Sequence, residues 1–193
     1  MSVADPRILP GARKAIERYG WQDATLERIA LEAGVSRMTL HRRGVTRDGI
    51  LTALAANVEE QYRAALWPAL TAPGDARARL EQALEALCDV VEENLGLVSA
   101  LGDRPRNAIF HEDEGIGEGT ALTRRTFTEP VERLLRDGAG DGSLRPVEDP
   151  AETATVLFNL ISWTYRHLRR GHGWSPERTR RSVLPIALEG IAS

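Results

Sequence analysis

The chain has 193 residues, 42% hydrophobic and 27% charged, an ordinary globular composition that can bury one large core or two small ones. Its single cysteine, Cys88, excludes an intrachain disulfide framework, and no run of about 18 apolar residues is present to span a bilayer. The net charge of −3 argues against a nucleic-acid partner for the chain as a whole. Its distribution argues otherwise: residues 1–57 carry nine Lys and Arg against six Asp and Glu, a balance of +3 that leaves −6 for the remainder. Lysine supplies one of the 25 basic residues, so part of the arginine excess is read as genomic base composition. The opening MSVADPRILPGARK has no continuous apolar stretch behind a basic start; no secretory signal is expected, and the cytoplasm is the expected compartment.

A first helix is predicted over Arg7 to Tyr19, where Ile8, Leu9, Ala12, Ala15, Ile16 and Tyr19 recur at helical spacing before Gly20. Pro10 fits only in a first turn, so the ordered helix is expected to begin near it rather than near Pro6. Thr25 caps a second helix whose Leu26, Ile29, Ala30 and Ala33 form one apolar face until Gly34. Ser36 caps a short third helix reaching Arg43, with Leu40 inward. Thr46 caps a fourth, carrying Ile50, Leu51, Leu54, Ala55, Val58, Tyr62, Ala65 and Leu66 as far as Pro68.

Asp75 then opens a helix with a continuous stripe through Leu80, Leu84, Leu87, Val91 and Leu95. Residues 102–119 combine Pro105, several glycines and the acidic run 111–114, and a mobile connection is expected there. Helical character resumes from Leu122 to Asp137, and GAGDGSLRPVEDP reads as turns. Asp149-Pro150 starts a helix that is apolar on more than one face, and Ser175-Pro176-Glu177 starts the last. No segment alternates with period two, so the fold class is all-α.

Residues 25–51, TLERIALEAGVSRMTLHRRGVTRDGIL, contain two short helices around a glycine turn, with four arginines and no acid between Gly34 and Arg47. That is the layout of a helix that enters a DNA major groove. Residues at the start of such a helix approach base edges, which suits Ser36, Arg37, Met38 and Thr39; Arg37 can contact a guanine and Met38 a thymine methyl. Thr25, His41, Arg42, Arg43, Thr46 and Arg47 are assigned to the phosphate backbone. The competing readings are a solvated basic face for these residues and, for Met38, packing inside the head.

At Gly20-Trp21, Ala24-Thr25, Ile29-Ala30, Ala33-Gly34-Val35-Ser36, Thr39-Leu40, Arg47-Asp48 and Ile50-Leu51 the chain resembles the tetracycline-repressor (TetR) family of bacterial transcription regulators. The resemblance implies an all-α protein: a helix-turn-helix DNA-binding head of three helices over residues 1–50, and a helical ligand-binding and dimerisation domain over residues 51–193. It implies a ligand-responsive repressor released from a palindromic operator by a small apolar or amphipathic effector, although some relatives activate or answer to no known small molecule. The chain departs from the family where a Tyr-x-Tyr-Phe run is common, having His41-Arg42-Arg43-Gly44 instead. An apolar plug is thereby lost, for which Trp21 or Val45 is the substitute.

One head buries little surface, so a homodimer on double-stranded operator DNA is expected. Leu157, Leu160, Ile161 and Trp163 with Val183, Ala187 and Ile191 are the candidate pairing surface; the alternative is that they fill the core of one chain. Effector-pocket candidates are Leu87, Val91, Leu101 and Phe110, with Leu122, Phe127, Phe158 and Trp163, each of which also fits an ordinary core.

His111-Glu112-Asp113-Glu114 lacks a metal-binding frame and reads as a solvated acidic loop, so no metal is expected. The glycine-rich Gly115 to Thr120 has no P-loop lysine and reads as a hinge or lid. His167 and His172 belong near the surface and Cys88 in the core. No G-x-S-x-G, paired catalytic histidine or cofactor fingerprint occurs, so neither an enzyme nor a cofactor is expected. The alternatives are a helical small-molecule-binding protein or enzyme whose Arg42-Arg43-Gly44 end no longer reads DNA, and a regulator controlled by a protein partner.

Overall fold

The computed structural model describes residues 6–102 and 124–191, with side chains over 6–101 and 127–191. The described residues form α-helices and no strand: α1 (Ile8–Asp23), α2 (Leu26–Glu32), α3 (Arg37–Arg42), α4 (Arg47–Thr71), α5 (Ala76–Glu93), α6 (Leu95–Gly102), α7 (Arg124–Asp141), α8 (Pro150–Gly171) and α9 (Pro176–Glu189). Two compact units result. The first holds residues 6–58 and 94–102, the second residues 59–93 and 124–191. The expected head of residues 1–50 lies within the first unit, which extends further along α4 and takes in α6.

In the first unit α1 packs against α2 and α6, and α2 against α3. Ile8, Ala12, Ala15 and Ile16 of α1 are buried with Ile29, Ala30 and Leu40, so the three- and four-residue spacing of the sequence is the inward face. Pro10 does sit in the first turn of α1. Gly20 leaves helical geometry at φ 72°, ψ 161°, so α1 ends where expected and Trp21 to Asp23 form a separate turn. The helix α6 was not foreseen as an element of its own, because its Leu95 continues the apolar stripe of α5; Arg13 of α1 donates to Asn94 Oδ1 just ahead of it.

In the second unit α5 packs against α7, α8 and α9, and α8 against α7 and α9. Leu80, Leu84, Leu87 and Val91 of α5 are buried as predicted. The Cys88 thiol lies among them, and burial pushes it up to about 12. Tyr62, Phe127 and Phe158 form an aromatic cluster with centroids 5.3, 5.4 and 6.0 Å apart, and the Tyr62 hydroxyl donates to the Phe127 carbonyl at 2.8 Å. That bond satisfies a phenol that would otherwise be buried without a partner.

Two predicted boundaries move. Helix α4 continues past Pro68 to Thr71; Pro68 gives up one N–H bond, but its carbonyl still accepts from Ala72 N at 2.8 Å. Gly138 to Asp141, expected as turn, are the last residues of α7. Leu144 folds back onto Gly138, where an added Cβ would come within 2.5 Å of it. Asp141 then accepts from Ala76 N at 2.8 Å and caps α5, a use of a helix-ending aspartate that no local pattern announces. His167 and His172 are exposed, with rings 5.1 Å apart.

The charged centre of the second unit is Glu92 on α5. Arg169 on α8 donates to it through Nε and Nη2, both at 2.6 Å, and Tyr165 donates its hydroxyl at 3.0 Å. The side chains of Glu92 and Arg169 are only 26% and 18% exposed. Removing one partner of such a pair costs on the order of 3 kcal/mol, against about 0–1 kcal/mol for a surface pair like Arg63 with Glu59 and Glu60. The Arg169 hydrogen bonds hold the Glu92 carboxyl below the ordinary carboxylate range although burial opposes them. The unfolded chain therefore binds this proton more readily than the folded one. The stabilisation is complete above the ordinary carboxylate pKa of about 4.3 and is lost as pH falls through the lower folded value. Glu92→Gln should lower the melting temperature at neutral pH and flatten its decline between about pH 5 and pH 3, followed by circular dichroism. A melting temperature that runs parallel to the wild type through that range would rule this out.

Candidate nucleic-acid interface

The local sequence sets the frame of α3 at both ends with the same three-residue device. After α2, Gly34 takes φ +64°, Gly34 N–H bonds to Leu31 O at 3.1 Å and Val35 N–H to Ala30 O at 3.0 Å. After α3, Gly44 takes φ +63°, Gly44 N–H bonds to His41 O at 2.9 Å and Val45 N–H to Leu40 O at 3.0 Å. Both are Schellman closures, in which a left-handed residue lets the chain turn back on the last carbonyls. The next residue is a hydroxyl in each case. Ser36 accepts from Thr39 N at 3.1 Å and starts α3; Thr46 accepts from Gly49 N at 3.0 Å and starts α4.

Those closures explain the departure at residues 41–44. Gly44, at the position where the resemblance leads one to expect phenylalanine, is a helix stop, and Val45, one residue later, is 7% exposed. Trp21 does something else. Its ring is half-buried and lies 4.4 Å from the Arg47 guanidinium, which donates to the Trp21 carbonyl and, at 3.5 Å, to that of Gln22. Arg47, expected at the DNA backbone, is thus turned inward, where the indole face and two carbonyls at the end of α1 receive its guanidinium. Its Nε is buried without an acceptor. A second aromatic clamp lies alongside, with Arg28 of α2 4.6 Å from the Tyr19 ring and donating to Asp23 O at 2.8 Å. Sequence reading missed both clamps; paired arginines and aromatics far apart in the chain give no periodic signal.

The remaining candidates differ in exposure. Arg37, Met38, His41, Arg42 and Arg43 are exposed, and Met38 at 69% is not packed inside the head. Thr39 is half-buried and its hydroxyl lies 2.9 Å from that of Ser36. Thr25 is half-buried and accepts from Arg28 N at 3.3 Å. A hydroxyl that accepts from its own helix keeps its proton for an outside acceptor, so capping and phosphate contact are compatible at Thr46, whereas the Thr25 hydroxyl also bonds to the Glu27 carboxylate. The Arg37 guanidinium meets Glu27 of α2 at 2.8 Å.

The other candidates divide between the units. Leu87, Val91, Phe127 and Phe158 are buried in the second unit with Trp163 half-buried there, Leu101 belongs to the first, and Phe110 and Leu122 lie outside the described residues, as do 111–120. On α8 and α9, Leu157, Ile161, Val183 and Ala187 are buried within the chain itself, as is Ile191 just beyond, while Leu160 and Trp163 are half-buried. The apolar residues that these helices leave exposed are Val156 at 58% and Ile186 at 67%. Helical periodicity separates apolar from polar faces but cannot say which apolar face a neighbouring helix covers. Among the described residues no group of three or more His, Cys, Asp or Glu is placed to hold a metal, and no helix is long and apolar enough to cross a membrane.

Because Gly44 is held in the left-handed region, restoring the aromatic residue common in relatives should harm the head. Gly44→Phe is expected to destabilise it by about 1–2 kcal/mol, measured by thermal unfolding; an unchanged or raised melting temperature would show that α3 does not end in this way.

Residues 8–54 match the profile of a family described as bacterial regulatory proteins, tetR family. No curated protein sequence matches the chain. Among solved structures, a TetR family transcriptional regulator, PfmR from Thermus thermophilus, is similar with TM-score 0.71 and 23% identity over 95% of this chain and 97% of the other. The ketosteroid transcriptional regulator KstR2 of Mycobacterium tuberculosis gives TM-score 0.72 and 17% identity over 100% and 97%. The fatty acid degradation regulator FadR from Bacillus halodurans gives 0.72 and 15% over 95% and 97%. Residues 8–54 thus carry the sequence profile of the tetR family of bacterial regulatory proteins, and the fold is shared with these solved regulators along almost the whole chain.

Proposed function

We propose that the protein is a ligand-responsive, DNA-binding transcription regulator, a repressor that leaves a palindromic operator when a small apolar or amphipathic effector binds. The observation that carries this reading is α3: six residues framed by two helix stops, with Arg37, Met38, His41 and Arg42 all exposed on it. Arg37 and Met38 at its start are suited to base edges, whereas His41, Arg42, Arg43, Thr25 and Thr46 are suited to phosphates. Arg47 is better described as a positioning residue, since its guanidinium fixes the first turn of α4 to the end of α1.

A homodimer is proposed to present two such heads to two half-sites one helical turn apart. The surface favoured for pairing is the exposed and half-exposed stripe of Val156, Leu160 and Trp163 on α8 with Ile186 on α9, rather than the buried residues of the same helices. The effector is proposed to bind in the second unit near the Tyr62, Phe127 and Phe158 cluster. Solved relatives named for ketosteroids and fatty acids support an apolar or amphipathic class. Residues 51–193 act in this reading as the ligand-binding and dimerisation domain, and α4 carries the change towards the head. Regulation requires effector and DNA to favour different conformations, and a coupling of about 1–3 kcal/mol changes operator affinity roughly 5–150-fold.

Enrichment of binding sites from a random-sequence duplex library with the purified protein should yield a palindromic sequence. Against that duplex, Arg37→Gln should cost about 1–3 kcal/mol and relax the preference at one base pair per half-site. Arg42→Gln should weaken binding to all duplexes alike and reduce the salt slope by about one per head. Titrations followed by fluorescence anisotropy read both. Failure to enrich any sequence, with the protein folded by circular dichroism, would remove the DNA-reading role.

A further inference from the structure

An exposed acid of α2 lies against the first residue of α3. Glu27, the second residue of α2, lies 2.8 Å from Arg37 Nη1, with side chains 53% and 72% exposed. The carboxylate has further partners. Its own backbone N–H, the Thr25 hydroxyl and, to a smaller degree, Arg37 hold it below the ordinary carboxylate range. It is therefore a fixed negative charge at every pH at which the protein would meet DNA.

The geometry decides what Arg37 can still do. A guanidinium has five N–H donors on a rigid fork. Glu27 occupies Nη1, and the Nε and Nη2 donors that flank the other edge remain for a guanine O6 and N7. A phosphate that approached the same guanidinium would come against the Glu27 charge, so the base edge is favoured over the backbone. The Ser36 and Thr39 hydroxyls lie 2.9 Å apart and share a hydrogen bond with each other.

We propose that Glu27 is a specificity-determining residue of the head: it positions Arg37 for a base edge and keeps it off the phosphates. This inference rests on the DNA-reading function proposed above. Exposed ion pairs contribute little to folding, so Glu27→Gln retains the fold and most of the side-chain shape while removing the charge.

The test uses the full-length dimer, the duplex enriched by the wild type, the same duplex with each guanine replaced in turn, and a scrambled duplex, over a range of KCl concentrations. Glu27→Gln is expected to bind the scrambled duplex more tightly, with a salt slope steeper by about one per head as Arg37 gains a phosphate. Its preference for the enriched duplex over the guanine-replaced one should fall by about tenfold. In an Arg37→Gln background the same substitution should have no effect on that preference. The inference is overturned if Glu27→Gln leaves preference and slope at the wild-type values, or if it changes them equally with and without Arg37, which would make Glu27 a source of general repulsion. An Arg37→Gln variant that loses its guanine preference while Glu27→Gln is silent removes this inference and leaves the regulator reading intact; a wild type that enriches no sequence removes both.

Discussion

The head depends on α3 being short and fixed at both ends. Two backbone closures, Val35 N–H to Ala30 O and Val45 N–H to Leu40 O, stop α2 and α3 by the same left-handed turn, and a hydroxyl restarts the chain each time. Gly-Val-Ser at 34–36 and Gly-Val-Thr at 44–46 are thus one device used twice at an interval of ten residues. Residues 37–42 take part in ending the helix only through backbone carbonyls such as those of Leu40 and His41, and of their side chains Leu40 is fully buried. The side chains that face outward are free to be chosen for what they touch.

This separation accounts for what the sequence made legible. Caps and stops are local, so Thr25, Ser36, Thr46, Asp149 and Ser175 could be identified from residue type and position, and each does accept from its helix. For the run at 41–44 the sequence leaves Trp21 and Val45 both open as replacements for the missing aromatic; in the structure Val45 is buried and Trp21 faces Arg47. Contacts between distant side chains were not legible. Nothing in the spacing of Trp21 and Arg47, or of Tyr19 and Arg28, marks them as pairs, since a guanidinium finds an aromatic face by three-dimensional approach alone. Arg47 was accordingly assigned outward, by charge, where the fold turns it in.

The second unit shows the same limit from the apolar side. Periodicity found the buried stripes of α5, α8 and α9, but Val156 and Ile186 stand out only once neighbouring helices have covered Leu157, Ile161, Val183 and Ala187. Its polar centre was equally hidden. Glu92 sits in a run of acids on α5, and only the arrival of Arg169 and Tyr165 from α8 distinguishes it from a solvated carboxylate. Gly138 was read as a turn former, yet it serves as the floor on which Leu144 rests while Asp141 caps another helix. A glycine's freedom and a glycine's lack of bulk look identical in sequence.

The stacking of Arg47 on Trp21 has an optical side. Of the four tryptophans, Trp67, Trp163 and Trp174 lie in the second unit and Trp21 alone lies in the first. An indole under a guanidinium, half-shielded from water, emits according to whether that cation stays in place. The head therefore carries its own chromophore at the junction of α1 and α4, and a chain keeping only Trp21 would show the order of that junction in its fluorescence without any attached dye.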